Sequence, residues 1–179
     1  MVCYRIIADS DVLYDFKMLD FDESKLPFGR YDVNSGKAID ADSIYIDSIL
    51  YEGIFEDWIT NTMGFLIVNN DLAALIKEYE IGETQFIPVL DKNNGTDRIG
   101  YLLNIINHVD ALDVKNSTMM NKRDKTSVIK YALLADKIGN RDLFCLIGNL
   151  NAIFISERLA KKMKESKITG CYYQKIKVT

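Results

Sequence analysis

Apolar and polar positions alternate along Val2 to Ala8, with Tyr4, Ile6 and Ala8 set against Arg5 and Ile7, which predicts a strand ended by a turn at Asp9-Ser10-Asp11. From Leu13 to Asp57 no period is sustained: Asp, Ser and Gly mix with isolated aromatics, and turn signals stand at Leu26-Pro27-Phe28-Gly29 and Val33-Asn34-Ser35-Gly36. Ile46, Ile49, Leu50, Ile54 and Trp58 fit one face of a helix, while Ile44 and Ile46 beside a tyrosine fit a strand equally well. Phe65-Leu66-Ile67-Val68 reads as a short buried strand. Asn69-Asn70-Asp71 then offers side-chain acceptors to the free amides of a helix start, and Leu72, Leu75, Ile76 and Tyr79 recur with helical spacing.

The spacing predicts a helix over Asp71–Ile81, ended by Gly82, and then a strand from Gln85 to Leu90 in which Pro88 favours an edge or a bulge. A turn at Asn93-Asn94-Gly95 leads into a long strand, Ile99 to Val109, forming a hairpin with the strand before it. Val114 to Lys125, with Lys115, Lys122, Arg123 and Lys125, reads as an exposed loop. Ser127 to Asp136 fits strand or helix, and Asp142 to Ile147 a buried strand. Ser156 suits the cap of a last helix, Glu157–Lys167, whose Leu159, Ala160 and Met163 make an apolar stripe on a basic surface. The segment Ala152 to Ile176 repeats Phe65 to Val89 at an offset of 87 residues: Leu72, Ala73, Lys77, Glu78 and Ile81 match Leu159, Ala160, Lys164, Glu165 and Ile168. Either the chain contains a duplicated strand–helix–strand unit, or two ordinary units obey the same capping and spacing rules. The pattern as a whole predicts a single α+β domain over 1–179, with a mixed or antiparallel sheet and two main helices.

Composition narrows function by exclusion. The 179 residues include 48% hydrophobic and 27% charged positions, an ordinary globular mixture. Three scattered cysteines and one histidine disfavour zinc centres, and the cysteine usage, with no cationic apolar leader, suggests a reducing cytoplasm. The longest charge-free stretch, Leu143 to Ser156, is too short to span a bilayer. Net charge is −4 but uneven: residues 1–60 hold 13 acidic against 5 basic residues, and residues 61–179 hold 13 against 17. Such an acidic segment repels nucleic acid and attracts basic protein surfaces, although most acidic runs are simply solvated.

Catalytic templates fail on specific positions. A phosphate loop ending at Gly36-Lys37 would need glycine where Tyr31 stands, no glycines form a G-x-G pair, and a calcium loop from Asp9 would need glycine at Tyr14. His108 is the one candidate general base. On a strand it shares a face with Asp110, which suits orienting an imidazole, but no motif places a nucleophile beside it. Asp20-Phe21-Asp22-Glu23 reads as an acidic loop rather than a catalytic carboxylate pair. No cofactor and no metal is expected.

Several runs taken in order resemble a known family. They are Phe65 to Leu72, Gln85-Phe86-Ile87-Pro88-Val89, Asn107-His108-Val109-Asp110-Ala111-Leu112-Asp113, Asp142-Leu143-Phe144, Ile153 to Leu159, and Ile168-Thr169-Gly170-Cys171-Tyr172-Tyr173. Together, over Phe65 to Val178, they resemble immunity family eleven of bacterial polymorphic toxin systems, formerly a domain of unknown function. The resemblance implies an intracellular, non-catalytic protein that protects its producer, or a sister cell, by binding a cognate toxin; the short charge-free stretches and the few basic residues among aromatics, only Tyr172-Tyr173-Gln174-Lys175, leave neither membrane nor nucleic acid as an expected partner. It carries across no catalytic residues. The acidic segment adds that the toxin is a basic protein such as a nuclease, and proposes Asp40, Asp42, Asp47, Glu52, Glu56, Asp57 and Trp58, beside Tyr45, Tyr51 and Phe55, as the partner-binding face. Reversing Asp47, Glu52 and Glu56 to lysine is then expected to slow association without unsettling the fold. The competing readings are a ligand-binding or hydrolytic domain using His108 and Asp110, and an adaptor or chaperone of a secreted effector.

Overall fold

The computed structural model describes residues 1–9, 16–79, 84–92, 97–121, 124 and 126–179, with only the backbone of Leu150. The turns expected at Asp9-Ser10-Asp11 and Asn93-Asn94-Gly95, the helix end at Ile81 and Gly82, and Lys122, Arg123 and Lys125 lie wholly or partly outside the described residues.

In chain order the elements are β1 (Cys3–Ala8), β2 (Met18–Asp20), β3 (Ile44–Ile46), β4 (Ser48–Leu50), β5 (Trp58–Ile59), β6 (Ile67–Val68) and α1 (Asn70–Tyr79). Then come β7 (Thr84–Asp91), β8 (Asp97–Ile105), β9 (His108–Val109), β10 (Thr118–Met119), β11 (Val128–Lys130), β12 (Ala132–Leu133) and α2 (Ala135–Ile138). The chain finishes with β13 (Leu143–Leu146), β14 (Asn149–Ser156), α3 (Glu157–Glu165) and β15 (Cys171–Val178). The fold is α+β with mixed sheets. The ambiguous stretch from Ile44 to Trp58 forms short strands rather than a helix, and Ser127 to Asp136 forms two strands and the start of α2. The loop expected from Val114 to Lys125 contains β10, which pairs with β11. The long strand ends at Ile105, and β9 joins the other sheet beside β13. Pro88 lies just before the rung where β3 begins to pair with β7, and the register shift falls between Val89 and Leu90. The missing amide of proline is tolerated at such a place.

Two sheets carry the architecture, in the orders β3-β7-β8-β6-β5 and β12-β15-β1-β14-β13-β9. Over their central and parallel strands their pairings coincide, while β5 and β13 pair at an offset of 85 residues. Ile67 pairs with Leu102 and Val68 with Tyr101, and at the 87-residue offset Phe154 pairs with Arg5 and Ile155 with Tyr4. Thr84 faces Ile105 as Cys171 faces Ala8, and the outer parallel pairs Tyr45–Leu90 and Ala132–Lys177 keep the same offset. The internal duplication is therefore a property of the fold. Its two copies differ in connectivity: β8 follows β7 directly, whereas its counterpart beside β15 is β1, from the other end of the chain.

Side chains repeat as well. Asn69 Oδ1 accepts the Leu72 amide at 2.8 Å and Ser156 Oγ accepts the Leu159 amide at 3.1 Å, each satisfying a free N–H of its helix. Lys77 lies 4.6 Å from the rings of both Phe86 and Tyr101, and Lys164 lies 4.6 Å from Tyr4 and 4.9 Å from Tyr173. Each ammonium thus lies beside two aromatic rings on an exposed side chain, a cation–π arrangement repeated in both copies.

One core, built on Leu72, Ala73 and Ile76 of α1 and Leu159, Ala160 and Met163 of α3, fills the space between the two sheets. The period of two then sends alternate residues outward. Ile67, Val89 and Leu102 face a second core roofed by the N-terminal segment through Leu19, Phe21, Val33, Ile39 and Ile44. Cys3, Phe144 and Phe154 face a third, roofed by Val109, Tyr131, Leu133 and Ile138. The first roof, residues 16–57, carries ten acidic against four basic residues, and the described residues of the second, within 106–141, carry four against four. A duplicated scaffold is thus covered by one acidic roof and one whose described charges balance.

Candidate partner-binding surface

The acidic roof is held by its own carboxylates. β2 pairs with β4, so Asp20, Asp22 and Asp47 converge. Asp22 caps the turn Glu23–Lys25 by accepting from Ser24, and its own amide donates to Asp47 Oδ2 at 2.6 Å. Lys25 Nζ bonds Asp47 and lies 3.4 Å from Asp22. The Lys25 ammonium, then the Asp22 amide, holds the Asp47 carboxyl below the ordinary aspartate range. Asp47 therefore ties the roof together. Ile44 and Ile46 point inward and turn Tyr45 outward, where it is 39% exposed with Lys92 4.1 Å above its ring. Asp40, Asp42 and Glu52 are exposed, as are Tyr51 at 46% and Ile54 at 67%.

Glu56, Asp57 and Trp58 are placed differently. Trp58 is buried in the core between the sheets, at the position that Leu143 takes in the second copy. Asp57 is a clasp: Oδ1 accepts from Asn69 Nδ2 at 2.6 Å, and Oδ2 from the Thr169 amide at 2.8 Å and its hydroxyl at 3.1 Å. Its counterpart Asp142 accepts from Ser156 Oγ and is paired with Arg158. Glu56 is only 8% exposed, against Gly170. Burial, with the Asp9 and Asp57 charges, pushes its carboxyl above the ordinary glutamate range. Of the seven expected residues, Asp40, Asp42 and Glu52 are exposed, whereas Asp47, Glu56, Asp57 and Trp58 are committed to internal contacts.

His108 is half-buried, with Gly36 against its ring; its Nε2 is buried without a hydrogen-bond partner among the described residues. Burial lowers its pKa, partly offset by the Asn34 and Ile105 backbones. Asp113, the other nearby acid in sequence, is occupied by Asn116 and Thr179. Burial raises the thiols of Cys3 and Cys171 to about 11 and that of Cys145 to about 12, so all three are held as poorly nucleophilic thiols at neutral pH. Among the described residues no three His, Cys, Asp or Glu side chains are grouped to hold a metal. No described helix is long and apolar enough to cross a membrane.

Comparison with protein families gives a match to the Immunity protein family (Imm11) over residues 48–178. The chain belongs to this family. The Imm11 match begins 17 residues ahead of Phe65, so it takes in β4, β5 and the Glu56–Trp58 brace, and ends where the resemblance was expected to end. It leaves out β1 and β3, which complete the two sheets. No curated protein matches the chain. Membership of Imm11 implies an immunity role with a toxin as partner in general terms, and suggests a non-enzymatic one.

Arg5 and Arg30 were not singled out in the sequence, yet both face one cleft between the halves. The available signal was small: Arg5 is the one charged residue of the strand Cys3–Ala8.

Proposed function

We propose that this Imm11 protein binds a cognate toxin directly in the cytoplasm of the cell it protects, and neutralises it without catalysis. Family membership carries the reading. The exposed acidic and aromatic mixture of the first roof supports a basic toxin surface as the counterpart, because complementary potentials speed encounter and fix orientation. The face consists of Asp40, Asp42 and Glu52 with Tyr45, Tyr51 and Ile54, since Asp47 and Glu56 are committed to internal contacts.

Capture from the native bacterium, followed by kinetics with the captured toxin, tests this. The variant Asp40→Lys/Asp42→Lys/Glu52→Lys should associate about tenfold more slowly at low salt, with flatter salt dependence and an unchanged thermal transition. Unchanged association at low and physiological salt removes this face. His108→Ala should retain full protection; loss of protection by a folded variant would return weight to catalysis.

A further inference from the structure

A cleft of about 890 Å³ opens between the two halves. One wall is the roof segment around Arg30 and Asn34, and the other is β1 with the turn into β14. Arg5 projects from β1 with its guanidinium 5.2 Å from the ring centroid of Tyr131. That ring is buried, packs edge-on to Phe154, and has its hydroxyl held by Asn149 Nδ2 at 2.8 Å. The guanidinium is therefore positioned on a fixed platform, yet its Nε is buried with no hydrogen-bond partner among the described residues. Arg30 adds a second cation, Asn149 and Asn151 add amides, and no Asp or Glu lines the cleft among the described residues.

A guanidinium N–H buried without an acceptor forfeits its hydration, and an oxyanion entering the cleft, met by a small turn of the Arg5 side chain that uncovers this edge, regains that bond in a low-dielectric setting. The Nε edge of arginine matches a carboxylate, taking both oxygens in parallel. The surroundings select the carrier of that carboxylate. Tyr31 on the rim is 80% exposed, and Ile147, next to Gly148 of the wall, is 62% exposed; such residues fit a peptide better than a free ion. The Arg30 wall belongs to the acidic roof, which disfavours a polyanion such as nucleic acid. We propose that this cleft receives an acidic segment of the protein partner, one Asp or Glu carboxylate pairing with Arg5 while flanking apolar side chains cover Tyr31. The inference rests on the partner-binding reading and adds a contact opposite in sign to the acidic roof. Two contacts of opposite sign would fix the partner's orientation where one would not.

The test needs no toxin. A capped Leu-Glu-Glu-Leu peptide is titrated into the full chain, with the Gln-for-Glu peptide, inorganic phosphate and an eight-nucleotide thymidylate as controls, following arginine Nε–Hε and asparagine amide resonances. The Glu peptide should shift Arg5, Asn149 and Asn151, and the Gln peptide should leave them in place. Arg5→Lys keeps the charge but loses the fork and should weaken binding about tenfold; Arg30→Gln, at an exposed site, should weaken it about threefold. Absence of shifts at millimolar peptide, equal shifts with the Gln peptide, or tighter binding of phosphate or thymidylate would each overturn the proposal. Should Arg5→Lys fail to fold, the wild-type titration and Arg30→Gln still decide. A protein that takes the peptide but captures no toxin sinks the partner reading alone. One that captures a toxin but ignores the peptide sinks only this inference.

Discussion

At Glu56 the sign of a stability effect follows from burial. Its carboxyl is held above the ordinary range, so the folded chain binds a proton more readily than the unfolded one. That contribution is fully present below the unfolded value of about 4.3 and is lost as pH rises through the raised folded value. Glu56→Gln should therefore raise the denaturation midpoint at pH 7, with the gain disappearing near pH 4; urea unfolding at the two pH values reads this. Gly170 presses on the same place. It has φ +80°, and a Cβ there would stand 2.4 Å from the Trp58 carbonyl oxygen and 3.0 Å from Glu56 Cβ. Gly170→Ala should cost more than about 1 kcal/mol in the same assay, because both backbone strain and a backbone clash oppose it. Neither residue was legible from its neighbours in sequence. Carboxylates among aromatics look the same whether they face water or brace a loop 112 residues away, as Asp57 does with Thr169.

Among the elements, α1 and α3 were readable because capping and helical spacing are local signals, and the 87-residue offset between them proved to be shared by β6 and β14, β7 and β15, and β3 and β12. The partner of β15 was not readable. Nothing near Cys171 to Val178 indicates that its neighbour is Cys3 to Ala8, since a pairing across such a span leaves no trace in either segment. The fold also predicts an experiment in rewiring. Ile176 faces Cys3 in an antiparallel pair, as Val89 faces Gly100, so a short turn can join β15 to β1 as one joins β7 to β8. A permuted chain with Thr179 linked to Met1 by about five residues, the usual length of a hairpin loop, and opened between Asp9 and Phe16, should keep its near-ultraviolet dichroism. Loss of that signal would mean the two copies are less equivalent than their registers indicate.

For the molecule as a whole, the core between the sheets draws on both helices and on strands of both copies, so neither copy can open without exposing the other's apolar face. One cooperative unfolding transition is expected, with coincident fluorescence and far-ultraviolet midpoints; two separated transitions would contradict a single domain. The position of β1 also sets an order of events during synthesis. The first copy can close soon after Ile105 leaves the ribosome. The second has its central strand made first, yet must wait for Val178 before that strand is flanked on both sides. Closing so long a loop is slow, and an apolar strand left unpaired meanwhile is open to wrong partners. Poor yield on rapid expression would then come from the waiting strand, and slower translation or a holding chaperone would relieve it without any change in the stability of the finished protein.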